Sequence, residues 1–390
     1  MSTAQVVQHV RDAFAAKRPL RIRAAGTWMS AGRPVRADHM LSLADDRGIV
    51  EYVPGDFTLT ARAGTPLSEI SATTLLQNQW MPLDPWGGDH GTIGATVSTA
   101  SAGPHSYAMG MPRDVVLGVE FVSGSGQLIR AGGRVVKNVA GFDLTRLAVG
   151  SWGTLGVITE VTVRLRARPQ HVRSLALPIS TSAEKLNELA TRLRALPFTP
   201  LASEVINPAL AAQLGLTPNA TFLLRVAGNA KSVGGQIDAL ATLGRVADDI
   251  GEDVWQKLRM ADSSRDNAAS SRWSRLPSLF GDVWNAAERS TRETERGDGG
   301  DGGDGSDGSD AFLHGNPARG VVRVITTARH AVETARAASA FEGTVIIERL
   351  SSDAWQVVTR RVSQDPISRA IRAKFDPAGI LNPGILGEAA

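Results

Sequence analysis

The first pattern in the chain is a set of apolar residues at helical spacing: Val6, Val7, Val10 and Phe14. This spacing predicts a helix that packs one face against a core. Two strand-like runs at residues 49–53 and 59–63 then predict strands. Behind them, Thr65 precedes Pro66, which predicts a helix capped by Thr65 with Pro66 in its first position. We expect that helix to end near Trp80.

The next elements complete a first domain. Strand patterns at residues 115–122 and 127–130 are separated by Gly-Ser-Gly, which is typical of a hairpin turn. A short helix is predicted at 143–148, and a strand pair follows it at 156–166. We expect the first domain to end near Pro169.

The pattern changes after this point. From residue 171 to about 347, amphipathic helices such as 183–196 alternate with strands such as 221–227 and 321–325, which predicts a second domain of α+β type. Residues 297–310, GDGGDGGDGSDGSD, interrupt it without any apolar residue. Closely spaced aspartates are calcium ligands, but calcium-binding repeats need an apolar position in each turn. The composition therefore favours a disordered loop.

Composition limits the class of protein. A chain of 390 residues is long enough for two domains with their own cores. No apolar run reaches the roughly 18 to 20 residues of a membrane-spanning helix, and the start of the chain lacks the pattern of a secretory signal. The absence of cysteine excludes disulfides and cysteine-held iron–sulfur clusters from this chain. Its net charge of +3 does not favour nucleic acid as a partner.

Glycines interrupt β-branched residues throughout the segment 134–163, at Gly141, Gly150, Gly153 and Gly156. Glycine permits positive φ and lets a ligand approach backbone N–H groups closely. The segment therefore predicts a loop that holds a cofactor against bare backbone. Neither the GxxxxGK[ST] loop of nucleotide hydrolases nor a GxGxxG sequence between strand and helix is present.

Three further segments accompany it in order. RIRAAGTWMSAGRPV occupies residues 21–35, a stretch containing DHGTIGATVSTASAGPHSY lies within 82–122, and KFDPAGILNPG occupies 374–384. Together the four segments resemble the FAD-binding domain of the vanillyl-alcohol oxidase/p-cresol methylhydroxylase (VAO/PCMH) superfamily. Within it they are most similar to the FAD-binding E subunits of bacterial glycolate oxidases.

The resemblance implies an α+β protein. It places a two-subdomain FAD-binding domain at residues 1–169, a smaller α+β substrate or cap domain at 170–350, and a C-terminal helix and tail at 351–390 that returns to the FAD-binding domain. FAD is expected to be non-covalent, because the first loop has no histidine or cysteine for attachment. The implied cofactor-binding residues are Gly26, Thr92, Ile93, Gly94, Ala95, Ser98, Gly103, Pro104, Arg113, Asp114, Gly141, Gly150, Gly153, Thr154, Gly156, Val157, Ile158 and Asn382.

The chain departs from the superfamily in its loops. Ala24, Ala25 and Ala95 stand where relatives carry glycine, and His105-Ser106 replace a basic pair. Each added Cβ restricts φ and keeps a ligand farther from the backbone, so these positions bear on FAD affinity.

Two residues are candidates for the chemistry. Arg272, beside Trp273, suits a substrate carboxylate through its bidentate fork, although such a pair is also typical of a stacked surface site. His314 suits a general base, although a lone loop histidine is more often merely solvated. The HxGDGNxH pattern of the metal-binding D-type subunits is absent, and no metal is expected.

Three functions follow from the resemblance. The favoured one is an FAD-dependent oxidoreductase subunit of a glycolate oxidase complex, acting on the CH–OH group of a small 2-hydroxy acid with a sister FAD subunit and an iron–sulfur subunit. The alternatives are a self-sufficient hydroxy-acid oxidase and a structural subunit that has lost FAD. The expected location is cytoplasmic, or peripheral at the inner face of the cell membrane through partners.

Overall fold

The computed structural model of the protein describes residues 1–133, 142–244, 249–264, 268–292, 311–327, 331–358 and 365–387. They form two compact units. The first unit comprises the described residues within 1–103, 109–168 and 359–390, and the second comprises those within 104–108 and 169–358. Each unit has an apolar core of its own.

The strands are β1 (Leu20–Arg23), β2 (His39–Ser42), β3 (Ile49–Val53), β4 (Thr58–Arg62), β5 (Gln79–Trp80), β6 (Val116–Val122), β7 (Leu128–Gly132), β8 (Val157–Arg164), β9 (Arg166–Ala167), β10 (His171–Pro178), β11 (Ala202–Ile206), β12 (Thr221–Gly228), β13 (Asp249–Ile250), β14 (Ala269–Ser274), β15 (Phe312–Asn316), β16 (Val321–Thr326) and β17 (Thr344–Arg349).

The α-helices are α1 (Thr3–Ala15), α2 (Leu67–Leu75), α3 (Ile93–Thr99), α4 (Ser106–Met109), α5 (Pro112–Val115), α6 (Leu144–Ala148), α7 (Ala183–Arg194), α8 (Pro208–Gln213), α9 (Ala230–Leu240), α10 (Asp253–Arg259), α11 (Phe280–Arg292), α12 (Ala331–Ala340), α13 (Ser352–Val357) and α14 (Pro366–Phe375).

The first unit is built on a five-stranded antiparallel sheet in the order β3-β4-β8-β6-β7. Val6 and Val10 of α1 are fully buried in its core, as their helical spacing predicts. The parallel pair β1-β2 lies in the same unit. The C-terminal tail adds to the core beside β1, where the Leu20 N–H donates to the Ile380 carbonyl at 2.7 Å.

Most predicted elements of this unit are confirmed, including the strands at 49–53 and 59–63 and the hairpin of β6 with β7. The predicted start and end of the helix after Thr65 are wrong. The Thr65 hydroxyl contacts the N–H and carbonyl of Gly48 instead, at 2.9 and 3.1 Å, and Pro66 is the N-cap residue. The helix ends at Leu75, before Asn78 adopts a left-handed φ of 51°.

The second unit contains an eight-stranded antiparallel sheet in the order β13-β10-β12-β11-β15-β16-β14-β17. Apolar residues on one face of this sheet pack against α7 and α11. The predicted helix at 183–196 and the strands at 221–227 and 321–325 are confirmed within two residues. The predicted α+β class is also confirmed. The glycine–aspartate segment 297–310 lies outside the described residues.

Candidate functional site

An open cleft with about 700 Å³ of empty volume lies within the first unit. Four separate stretches of the chain form most of its wall: β1 with the loop that follows, α3, the loop before β8, and the C-terminal tail. Concave sites lined by several separate stretches of a chain are typical places for small molecules to bind. Because the four stretches coincide with the four segments that the sequence singled out, the cleft is the candidate functional site.

The α3 wall approaches its neighbouring strand closely. The Gly94 N–H donates to the Ala63 carbonyl at 2.9 Å, and a Cβ added at Gly94 would lie 2.7 Å from that same oxygen. Thr92 caps the helix by accepting from the Ala95 N–H at 3.3 Å. Glycine is therefore required at position 94 for the contact between helix and strand, as well as for its place in the cleft wall.

The loop before β8 is held by the tail. Gly150, Trp152 and Gly153 all have left-handed φ values, of 79°, 54° and 70°. The Asn382 amide nitrogen donates to the Trp152 carbonyl at 2.9 Å, and its amide oxygen accepts from the Ile22 N–H at 2.9 Å. Asn382 thus joins the tail to this loop and to β1. A Cβ at Gly153 would lie 2.7 Å from the Asn382 amide nitrogen, so side chains are excluded there.

Arg21 carries a positive charge into the cleft wall. Its Nη2 donates to the Met29 carbonyl at 3.0 Å, whereas its buried Nη1 has no hydrogen-bond partner among the described residues. Burial lowers the pKa of the Arg21 guanidinium, because desolvation disfavours its charged form. A half-buried cation with a buried, unsatisfied donor favours an anionic ligand group.

The structure places several of the predicted cofactor residues in this cleft. Those that line it are Gly26, Gly94, Ala95, Ser98, Gly153, Gly156, Ile158 and Asn382. Of the three alanines that stand where relatives carry glycine, Ala24 and Ala95 line the cleft and Ala25 does not.

Other predicted cofactor residues lie outside the lining of this cleft: Thr92, Ile93, Gly103, Pro104, Arg113, Asp114, Gly150, Thr154 and Val157. Most of them have structural contacts instead. Ile93 and Val157 are fully buried in the core, and the Thr154 hydroxyl donates to the Ser151 carbonyl at 2.7 Å. Gly103 is packed against the Asp84 carbonyl, 2.0 Å from where its Cβ would be. Gly141 lies outside the described residues.

Sequence reasoning missed Arg21, Trp28 and Trp152 as cleft residues. Arg21 could have been found, because it lies in strand β1, where alternate side chains face opposite sides of the strand. Trp152 gave no such signal, since tryptophan is not typical of a left-handed position.

The two candidates for chemistry lie in the second unit, on the face of the eight-stranded sheet opposite its apolar face. His314 of β15, Arg323 of β16 and Arg272 of β14 are direct cross-strand neighbours in a row. His314 is 1% exposed, and its Nδ1 lies 3.1 Å from a carboxylate oxygen of Glu204. The interpretation of His314 as a solvated loop residue is therefore wrong.

The charged row is bound into a buried network. Arg323 donates to both carboxylate oxygens of Asp262, at 2.8 and 2.5 Å, and to Glu348 at 2.7 Å. Burial opposes the charge of Arg323, but these two carboxylates raise its pKa above the ordinary value. Arg272 is less constrained, with Glu348 at 4.0 Å. The stacked-surface interpretation of Arg272 with Trp273 is wrong, because Trp273 is 1% exposed and belongs to the core.

Among the described residues, no three or more His, Cys, Asp or Glu side chains form a group that could hold a metal ion. Within the same part of the chain, no helix combines the length and the apolar character needed to cross a membrane.

Comparison with known proteins connects the cleft to a cofactor. The family model described as FAD binding domain matches residues 1–132, which include β1, the loop that follows it, and α3. Residues 1–132 of the chain therefore match an FAD-binding domain. Its cofactor is FAD.

Two curated relatives illustrate the similarity. Glycolate oxidase subunit GlcE of Escherichia coli (strain K12) is 40% identical over 198 residues, which are 50% of this chain and 56% of that protein. Glycolate oxidase subunit GlcD of Bacillus subtilis (strain 168) is 34% identical over 158 residues, 40% of this chain and 34% of that protein. The chain thus matches about half or less of the length of these relatives.

A solved structure shows the same fold. The 4-ethylphenol oxidase from Gulosibacter chungangensis superimposes with a TM-score of 0.73 over 99% of this chain and 88% of its own, at 17% sequence identity. At this identity the similarity concerns the fold alone.

The residues of the cleft fit FAD. The unpartnered Nη1 of Arg21 matches a negatively charged pyrophosphate, and Gly26 leaves backbone bare along the wall. Arg21, Arg23 and Asn382 would hold the bound cofactor through their side chains.

Proposed function

We propose that this chain is the FAD-binding subunit of a glycolate oxidase complex, which transfers electrons from a small 2-hydroxy acid through flavin to partner subunits. The observation that carries the proposal is the 40% identity to subunit GlcE over half of the chain. A bound flavin supplies an acceptor for the two electrons of a CH–OH group. The proposed partners are a sister FAD subunit and an iron–sulfur subunit.

The residues of this chain have defined tasks in the proposal. Arg21 and Asn382 hold and orient the cofactor in the cleft of the first unit. Because the chain contains no cysteine, an iron–sulfur cluster held by cysteine belongs to a partner. Oxidation of the hydroxy acid is assigned to the complex and not to this chain alone.

One observation favours the second candidate, a self-sufficient hydroxy-acid oxidase. A histidine oriented by a carboxylate is suited to act as a base, and an arginine on the same sheet face is suited to a substrate carboxylate. His314 with Glu204 and the less constrained Arg272 have these features.

Anaerobic mixing of the purified chain with glycolate separates the two candidates. The subunit proposal expects slow bleaching of the flavin, or none, in the isolated chain, and rapid bleaching after co-expression with a second flavoprotein and an iron–sulfur protein. Rapid, saturable bleaching of the isolated chain would show that it is itself the dehydrogenase. In that case Arg272→Met should raise the glycolate concentration needed for half-maximal bleaching.

A further inference from the structure

Two tryptophan rings stand together in the cleft of the first unit. Trp28 and Trp152 both line it, with ring centroids 6.1 Å apart and ring planes at 83°. Both side chains are half-buried, so each ring keeps an accessible part. The edge-on arrangement is a favourable aromatic contact, and it leaves the face of one ring available to a further ring.

The backbone of Trp152 shows that this ring is held in place at the cost of backbone strain. Its φ of 54° lies in the left-handed region, where its neighbours Gly150 and Gly153 have no side chain to strain. Two hydrogen bonds fix the conformation: the Trp152 N–H donates to the Ser98 carbonyl at 2.8 Å, and its carbonyl accepts from Asn382. Strained residues that are held in this way concentrate at ligand sites.

The indole ring also has a fixed direction. A Cβ built on Gly32 would lie 3.3 Å from Cζ3 of Trp152, so the six-membered part of the indole packs against the Gly32 backbone. With Gly32 on one side and Trp28 edge-on, the position of the ring is set before any ligand binds. Such pre-organisation lowers the entropy cost of binding.

We propose that Trp152, supported by Trp28, is a stacking surface for a fused heteroaromatic ring of the bound dinucleotide, either the adenine or the isoalloxazine. This inference rests on the FAD site of the proposed function. It explains why a tryptophan stands in a left-handed position that glycine would adopt without strain. It also gives the cleft an aromatic recognition element beside the cationic one at Arg21.

The test compares FAD affinity among variants of the full-length chain, prepared without flavin. Trp152→Leu, which keeps an apolar side chain but removes the ring, is expected to bind FAD about 10- to 100-fold more weakly, the range that stacking on an aromatic residue contributes. Trp152→Phe keeps a ring and should lose far less. Trp80→Leu is the matched control, because Trp80 is a half-buried tryptophan of the same unit outside the cleft lining, and its affinity should equal that of the unchanged protein.

Titration with ADP and with FMN identifies the stacked ring. Weaker binding of ADP alone assigns the adenine, and weaker binding of FMN alone assigns the isoalloxazine. If Trp152→Leu does not fold, Trp28→Leu provides the second variant, since it removes the supporting ring without altering the left-handed residue. FAD affinity within about twofold of the unchanged protein in the folded Trp152→Leu or Trp28→Leu variant would overturn the inference. An unchanged chain that binds no FAD would instead contradict the proposed function.

Discussion

At the scale of single residues, Arg21 shows how the cleft is organised for an anion. Its Nη2 donates to the Met29 carbonyl, and its Nη1 is buried without a partner among the described residues. An unsatisfied buried donor costs about 1–3 kcal/mol in the absence of a ligand. A ligand oxygen that accepts from Nη1 removes this cost. Arg21 therefore destabilises the flavin-free protein and stabilises the flavin-bound protein.

Replacing Arg21 by methionine should therefore separate binding from stability. We expect Arg21→Met to weaken FAD binding at least about tenfold, because hydrogen bonds to charged groups contribute about 1.5–3 kcal/mol. The melting temperature of the flavin-free protein should stay equal or rise. Flavin titration and thermal unfolding measure the two quantities.

Arg18→Met is the control for this variant, since Arg18 precedes β1 and is exposed outside the cleft lining. It should leave FAD affinity unchanged. Equal FAD affinity in Arg21→Met and the unchanged protein would show that Arg21 does not contact the cofactor.

At the scale of elements, the C-terminal tail completes the cofactor domain. Asp376 begins the tail by accepting from the N–H groups of Ile380 and Leu381, at 3.1 and 2.8 Å. Asn382 then connects β1 with the loop before β8, which the chain reaches more than two hundred residues earlier. The loop that presents Trp152 and Gly153 thus depends on a distant segment for its conformation.

Removing the side-chain amide of Asn382 should therefore loosen the loop. Asn382→Ala deletes two hydrogen bonds, each contributing about 1 kcal/mol, so the first unit should lose about 2 kcal/mol of stability and FAD affinity should fall. Thermal unfolding and flavin titration of the variant test this.

Asn78→Ala is the matched control for the backbone effect, because Asn382 and Asn78 are both left-handed, with φ of 43° and 51°, and Asn78 lies outside the cleft lining. It should lower stability without lowering FAD affinity. If the two variants lose FAD affinity equally, the Asn382 amide has no specific part in the site.

The elements also show what the sequence could predict. Helical spacing and strand-like runs located α1, β3, β4 and the β6–β7 hairpin, because those patterns follow from one-sided burial. The start of α2 could not be predicted, since the Thr65 hydroxyl contacts Gly48 in another part of the chain instead of capping the helix. Such tertiary hydrogen bonds override the local sequence pattern that predicts a helix cap.

The sequence predicted the residues of the cleft wall best at its glycine positions. Gly94 and Gly153 lie in the cleft wall, and each is packed so closely that a side chain has no room. Ile93 and Val157 occur in the same motifs but point into the core. A motif specifies a segment, whereas the alternation of its side chains between core and cleft depends on the folded structure.

At the scale of the whole molecule, the two units carry different kinds of chemistry. The first contains the cofactor cleft, and the second contains a buried row of charges on one face of its sheet. Similarity in fold to a solved oxidase at 17% identity extends over 99% of the chain, although the activity does not follow from fold. In the proposed function the first unit binds the cofactor, and the assignment of substrate oxidation depends on the reduction experiment.

The most direct test of this account is the flavin content of the purified full-length chain before and after acid precipitation. The account predicts FAD in equimolar amount, released entirely into the supernatant, because the cleft holds it without a covalent bond. Release of FMN, flavin retained in the precipitate, or a chain that contains no flavin and takes up none when titrated with FAD would contradict it.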